Sequence, residues 1–217
     1  MGTKDELRQK VEEAEAFETL KIKLGGPDDK SMVDFLRSIT DKPFMVDANQ
    51  GWKDLKHTLN MLDHLASRSV LLVEQPLPVL TSSEVWMKLK RQSPLPIFAD
   101  ESVKRLSDLD QIADLFHGVN IKLMKSTGLA EAHAMLLKCK ELGLQTMVGC
   151  MSESSCAIMA AAQLSPLADF VDLDGPFLVT NDPFESPVLE NGRIELKTCA
   201  GHGAIPISGL YPLAKDS

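Results

Sequence analysis

The stretch LKIKLGG, Leu20 to Gly26, sets two lysines inside an apolar strand pattern. Side chains alternate along a strand with a period of two, so Lys21 and Lys23 share one face while Leu20, Ile22 and Leu24 share the other. Strongly helical sequence flanks the stretch, and no hairpin partner adjoins it. Buried lysines are costly unless paired. What those two lysines meet decides both the fold and its use.

Working outward, the same rhythm repeats. Short apolar stretches with strand character occur at 20–25, 44–49, 71–76, 97–102, 118–124, 145–150 and 170–175, roughly every 25 residues. Amphipathic helical patterns separate them: DDKSMVDFLRSIT, KDLKHTLNMLDHLAS, SEVWMKLKRQS, LSDLDQIADLF and GLAEAHAMLLKCKELG. One strand plus one helix per repeat predicts an all-parallel sheet. The repeat fits an α/β fold of the (β/α)8 TIM-barrel type better than a doubly wound sheet, whose first strand more often leads into a glycine fingerprint that GGPDD does not match. The opening helix, DELRQKVEEAEAFETL, has no strand before it, so one barrel strand is expected to be missing or supplied from elsewhere. Residues 1–185 are read as a partial barrel. Residues 186–217, rich in Pro and Gly with the short strand candidate GRIEL, are read as an excursion from it.

Composition narrows the class. The 217 residues are 44% hydrophobic and 25% charged, ordinary for a globular chain that buries a core. The net charge of −8, with no basic patch, argues against nucleic-acid binding. No apolar run approaches the ~20 residues of a membrane span, and the first residues lack an apolar signal core. Cys139, Cys150, Cys156 and Cys199 form no CxxC pair, which suits a reduced, cytoplasmic protein. The five histidines show no paired metal spacing and read as surface or core residues.

Most strands turn polar near their C-terminal ends. Asp47 ends FMVD, Glu74 ends LLVE, Asp100 ends IFAD, Lys122 lies in VNIK, and Asp172 and Asp174 close FVDLD. In a parallel barrel these ends converge on one mouth. A single carboxylate after a strand is more often the N-cap of the next helix. Three on consecutive strands, each after two or three apolar residues, are hard to explain as caps; they make an oxygen-rich site suited to Mg²⁺. Lys23 and Lys122 lie four strands apart, which sets them across that site from each other. Two bases on opposite faces of a carbon next to a metal-bound carboxylate can invert it. Lys21 and the cation are the expected agents that would lower a lysine's pKa toward a working base.

With those residues in place, KIK at 21–23, VDANQGW at 46–52, VEQP at 73–76, ADES at 99–102 and NIKLMKSTG at 120–128 resemble the enolase superfamily, in its muconate-lactonising subgroup. A lysine base with Mg²⁺ is a known pattern of that superfamily rather than a deduction from this chain. The resemblance runs from about Leu20 to Asp182. It implies Lys23 and Lys122 as acid and base, and Asp47, Glu74 and Asp100 as ligands of one Mg²⁺. DLDGP at 172–176 is similar to the Asp-x-Asp motif of the dipeptide epimerases, in which the pair holds the substrate's free ammonium; L-Ala-D/L-Glu is the commonest substrate. Asp172 and Asp174 would share one strand face and grip a cation. The resemblance also places Lys21, Asn49 and Cys150 at substrate contacts, and Asn49 is expected on the inward face with Asp47.

The same resemblance implies a (β/α)7β barrel and an N-terminal α+β capping domain that this sequence does not show, so the chain reads as a fragment or a split subunit. The excursion at 186–217 would then pack on the cap, and a homo-oligomer or a separate capping chain would be the partner besides a dipeptide. Thr127-Gly128 stands where the family usually has Gly-Gly. Two alternatives stay open: an o-succinylbenzoate synthase or muconate cycloisomerase-like enzyme, and a catalytically incomplete barrel. Lys125 is expected to lead into the next loop.

Overall fold

A computed structural model describes residues 3–196, 198 and 201–208. Cys199 lies outside them. Seven parallel strands run in chain order across one sheet: β1 Leu20–Lys23, β2 Phe44–Asp47, β3 Val70–Glu74, β4 Ile97–Ala99, β5 Gly118–Lys122, β6 Gln145–Gly149 and β7 Phe170–Asp172. The sheet curls into a nearly closed barrel, as the repeat predicts. A two-stranded antiparallel ribbon, β8 Leu189–Glu190 and β9 Arg193–Ile194, follows in the tail. Its second strand is the GRIEL candidate, cut to two residues.

Helices α1 Lys4–Glu13, α2 Asp29–Ile39, α3 Leu55–Ala66, α4 Ser83–Gln92, α5 Leu109–Ile112, α6 Leu129–Glu141 and α7 Ser155–Ala162 surround the strands. None is long and apolar enough to cross a membrane. The predicted helix LSDLDQIADLF is mostly not one. Asp108 accepts from the backbone N–H groups of Lys104 and Arg105, which tightens the entry into a 3₁₀ turn and leaves only four α-helical residues.

Strand alternation divides the core in two. One cluster lies between strands and helices and holds Val46, Val73, Ile97, Val119, Ile121 and Val148. A smaller one fills the barrel: Met45, Leu72, Phe98, Met147 and Phe170. The Phe98 ring packs edge-on to Phe170 at 5.8 Å between centroids. It also lies where a side chain at position 118 would stand, since a Cβ on Gly118 would come within 2.5 Å of the ring. Two residues further along β2 and β3, the inward positions become Asp47 and Glu74. The mouth therefore rests on an apolar floor.

Candidate functional site

Register brings the carboxylates together. A shift between Phe44 and Met45 sets Met45 beside Leu72, and so Asp47 beside Glu74. The next pair is staggered, with Glu74 opposite Phe98, so Asp100 comes to the same level just beyond the end of β4. Asp47 and Glu74 are fully buried and Asp100 is 4% exposed. One oxygen from each lies within 4.8 Å of one from every other.

Four ammonium groups meet this cluster. Lys21 Nζ contacts Asp172 Oδ2 at 2.7 Å, Glu74 Oε1 at 2.9 Å and Asp47 Oδ2 at 3.7 Å. Burial alone would push its pKa down, but Glu74, Asp172 and Asp47 outweigh that and hold it above the ordinary value. Lys23 Nζ reaches Asp47 Oδ2 from the β1 side, with its side chain largely exposed. Lys122 Nζ donates to Asp100 Oδ2 at 2.8 Å from the β5 side. The two lysines thus flank the cluster from different strands. Burial opposes the charge on Lys122, yet Asp100 raises its pKa overall. Burial pushes the Glu74 carboxyl up; Lys21 opposes that and the Asp47 charge adds to it.

Sequence reasoning missed several supporting residues. Lys125 lies in the turn that leads from β5 toward α6, as expected, but its side chain turns back to the mouth. Its N–H donates to the Lys122 carbonyl, and the turn so formed carries Nζ back onto Asp100 Oδ1 at 2.6 Å and onto the carbonyls of Asp100 and Asn120. Asn120 Nδ2 donates to Glu74 Oε2 at 3.0 Å. Its side chain lies over Gly149, where a Cβ would come within 2.3 Å of Asn120 Oδ1. Gln75 Oε1 accepts from the N–H of Asp100 and of Ser102, replacing the strand ladder where β4 ends. Asp29 accepts from Gly25 N, Gly26 N and Trp52 Nε1, tying the loop after β1 to the loop after β2. The signal for Asn120 was its inward position two residues before Lys122.

Other expected residues converge less well. Asn49 is exposed, with φ +43°. Strand alternation has ended by then, so the side chain does not share the inward face with Asp47; only its backbone N–H bonds Asp47 Oδ1, at 2.9 Å. β7 ends at Asp172, and Asp174 begins a 3₁₀ turn with φ −82° and ψ −3°. The pair therefore does not share a strand face, although Asp172's charge raises the pKa of Asp174 after partial desolvation does. Cys150 Sγ lies 3.8 Å from Asp174 Oδ1, and its thiol is pushed up to about 12, by burial first. Among the histidines, His117 Nδ1 accepts from Ile97 N–H and His64 pairs with Asp34.

The donor set fits a hard divalent cation. Three carboxylates on three strands offer oxygen ligands with room for water. Glu74 Oε1 is buried and, despite the ionic contact from Lys21, makes no hydrogen bond.

Comparison with known proteins gives the same outline. The family described as Enolase C-terminal domain-like matches residues 3–206. An L-Ala-D/L-Glu epimerase of Bacteroides thetaiotaomicron is 47% identical over 209 residues, covering 95% of this chain and 54% of the relative. The substrate-liganded L-Ala-D/L-Glu epimerase of Bacillus subtilis superposes with a TM-score of 0.86 at 27% identity, over 95% of this chain and 61% of that one. A Mg-complexed dipeptide epimerase of Methylococcus capsulatus superposes at 0.85, with 28% identity, over 95% and 63%. The chain spans about half the length of the curated relatives it matches.

Proposed function

We propose, because the chain belongs to the Enolase C-terminal domain-like family, that it carries the metal and acid–base half of a dipeptide epimerase. The observation that supports this most is a buried triad, Asp47, Glu74 and Asp100, contacted by Lys23 from β1 and by Lys122 from β5. The triad would hold one Mg²⁺, which supplies stabilisation for the charge that develops on a substrate carboxylate as its neighbouring proton leaves.

The chain's own residues do the rest. One lysine breaks the C–H bond and takes the proton on Nζ. The other, on the opposite face, forms the new C–H bond from its ammonium, and the configuration inverts. Lys122, whose Nζ donates to Asp100 Oδ2, would deliver a proton on its face in one direction and take it in the other. Asp172 and Asp174 would hold the free ammonium of a dipeptide, with Lys21, Asn49 and Cys150 around the substrate. Residues 1–185 would be the catalytic body. The tail from 186 would pack on a capping domain or chain, and a homo-oligomer is a further arrangement for the assembled protein. At present Gly192 and Arg193 of that tail pack on Ala16 and Glu18.

The test uses a chimera joining the upstream portion of the Bacteroides relative to this chain. In D₂O with L-Ala-L-Glu and L-Ala-D-Glu, NMR should show Lys23→Ala and Lys122→Ala each abolishing epimerisation while exchanging the α-proton of opposite epimers. Wild-type epimerisation by either variant removes that lysine from the mechanism.

A further inference from the structure

Two neighbouring strands, β4 and β5, lead into the loops that carry Asp100, Lys122 and Lys125. Those loops are joined twice. At the inner end the join is buried and ionic, with Lys122 Nζ and Lys125 Nζ on the two oxygens of Asp100. At the outer end it is one carboxylate, Glu131, in the first turn of α6. Glu131 Oε1 accepts from the Leu106 N–H at 2.9 Å, and Arg105 Nε donates to both oxygens at 2.9 and 3.0 Å. Oε2 also accepts from Thr127 Oγ1 at 2.7 Å. Arg105 and Leu106 belong to the loop after β4, and Thr127 to the loop after β5. These hydrogen bonds, that from Arg105 first, hold the Glu131 carboxyl down at about 2, so the join is charged at neutral pH.

Thr127 gives that join its importance. Its φ is +57°, in the left-handed region where a β-branched residue is an outlier. Such backbone persists only where the surroundings over-determine it. Gly128 follows at φ +115°, and a Cβ there would meet nothing within 4 Å, so no packing steadies the turn at that point. Between them and β5 the turn is closed by its own backbone. The N–H groups of Lys125 and Ser126 donate to the Lys122 carbonyl at 2.9 and 3.1 Å, and that of Gly128 to Leu123 at 3.2 Å. This is the turn that carries Lys125 Nζ back onto Asp100. An exposed ion pair by itself adds little to stability, and the Arg105 side chain is 52% exposed. What Glu131 supplies is geometry: both of its oxygens are occupied, by groups from two different loops.

We propose that Glu131 is a positioning residue for the mouth, clamping the loop after β4 to the loop after β5 and holding Thr127 left-handed so that Lys122 and Lys125 stay aimed at Asp100. It acts through those residues, from outside the triad. A glycine at 127 would need no such clamp, because glycine takes a positive φ without steric cost. The proposal deepens the epimerase reading, on which its kinetic arm rests; its structural arm needs no activity.

The structural arm follows amide hydrogen exchange by NMR on this chain. In Glu131→Ala the amides of Lys125, Ser126 and Gly128 should exchange on the order of tenfold faster, while those within β5 keep their rates. Thr127→Val, which keeps the β-branch and removes only the hydroxyl, should speed the same three amides. The kinetic arm uses the chimera with the Bacteroides relative. There Glu131→Ala should lower kcat on the order of tenfold and leave KM within about twofold, because the lysine is misaimed while the substrate grip is untouched. Adding Thr127→Gly to Glu131→Ala should bring both readings back to within about threefold of wild type. Unchanged amide rates in Glu131→Ala overturn the proposal. So does a double variant no better than Glu131→Ala alone, since the carboxylate would then serve the fold and not the turn. A wild-type chimera without epimerase activity would sink the epimerase reading, and the exchange rates would still decide the clamp.

Discussion

Met45 and Asp47 stand two residues apart on one strand, and the layers they belong to are built on opposite terms. Around Met45 the barrel interior is Leu72, Phe98, Met147 and Phe170, whose burial draws on the hydrophobic effect and close packing. Around Asp47 it is carboxylate and ammonium, at the same depth: Asp47 and Glu74 are as inaccessible as Leu72. Ionised groups at that depth are stabilising only so far as they are paired. The floor holds the strands in register, and the register holds three carboxylates within reach of one another. Stability and chemistry are therefore separable here, layer by layer.

The sharpest way to break that separation is in the floor. Phe98→Ala leaves a cavity against Phe170, Leu72 and the glycine at 118, and should cost about 3–5 kcal/mol in a denaturant titration. A loss under about 1 kcal/mol would mean that the floor is not the structural layer. Glu74→Gln is the converse test in the mouth. Calorimetry should show Mg²⁺ affinity falling on the order of 100-fold, about 2.7 kcal/mol, while folding stability stays level or rises. Burial already disfavours the charged form of Glu74, and the amide oxygen can still accept from Asn120. Retained affinity with a large drop in stability would make the triad a structural network.

The smallest effect compares two thiols. Cys139 lies on the buried face of α6, in the apolar layer, and Cys150 at the rim of the mouth, and both are pushed up to about 12. Burial alone raises the first; burial, then the carboxylates of Asp172, Asp174 and Glu153, raise the second. Since the thiolate is the reactive form, raising its pKa suppresses alkylation at pH 8, by a factor on the order of 10³ relative to an ordinary thiol near 8.5. With rising pH toward 12, the half-exposed Cys150 should gain reactivity in the folded protein, whereas Cys139 should react only on unfolding. Mass spectrometry after timed alkylation separates them. Fast labelling of Cys150 at pH 8 would place it outside the buried rim.

What could be read from the chain follows the same division. Apolar runs ending in one charge, such as FMVD and LLVE, announce a barrel strand and its mouth residue together, because the apolar floor and the charged mouth use consecutive inward positions. Alternation failed where strands stopped. Asn49 and Asp174 each lie two residues beyond an inward carboxylate, but a left-handed residue and a 3₁₀ turn had already changed the backbone direction. Lys125 was invisible for a related reason: the turn closed by its own N–H, not the strand before it, aims its side chain at Asp100. The bracing by Gln75 depends on where β4 ends, which periodicity does not reveal to the residue.

The ion pairs at the mouth also set a rule for occupancy. Asp47, Glu74, Asp100 and Asp172 each contact one or more of Lys21, Lys23, Lys122 and Lys125, four formal negative charges against four formal positive ones. A divalent cation arriving alone would leave two uncompensated positive charges behind low-dielectric walls, where such an excess is expensive. A ligand bearing carboxylates restores the balance. Cation and anion would then raise each other's affinity by one common factor, in either order of arrival. Such a cage would act as a coincidence detector, filling for the two together and emptying when either leaves.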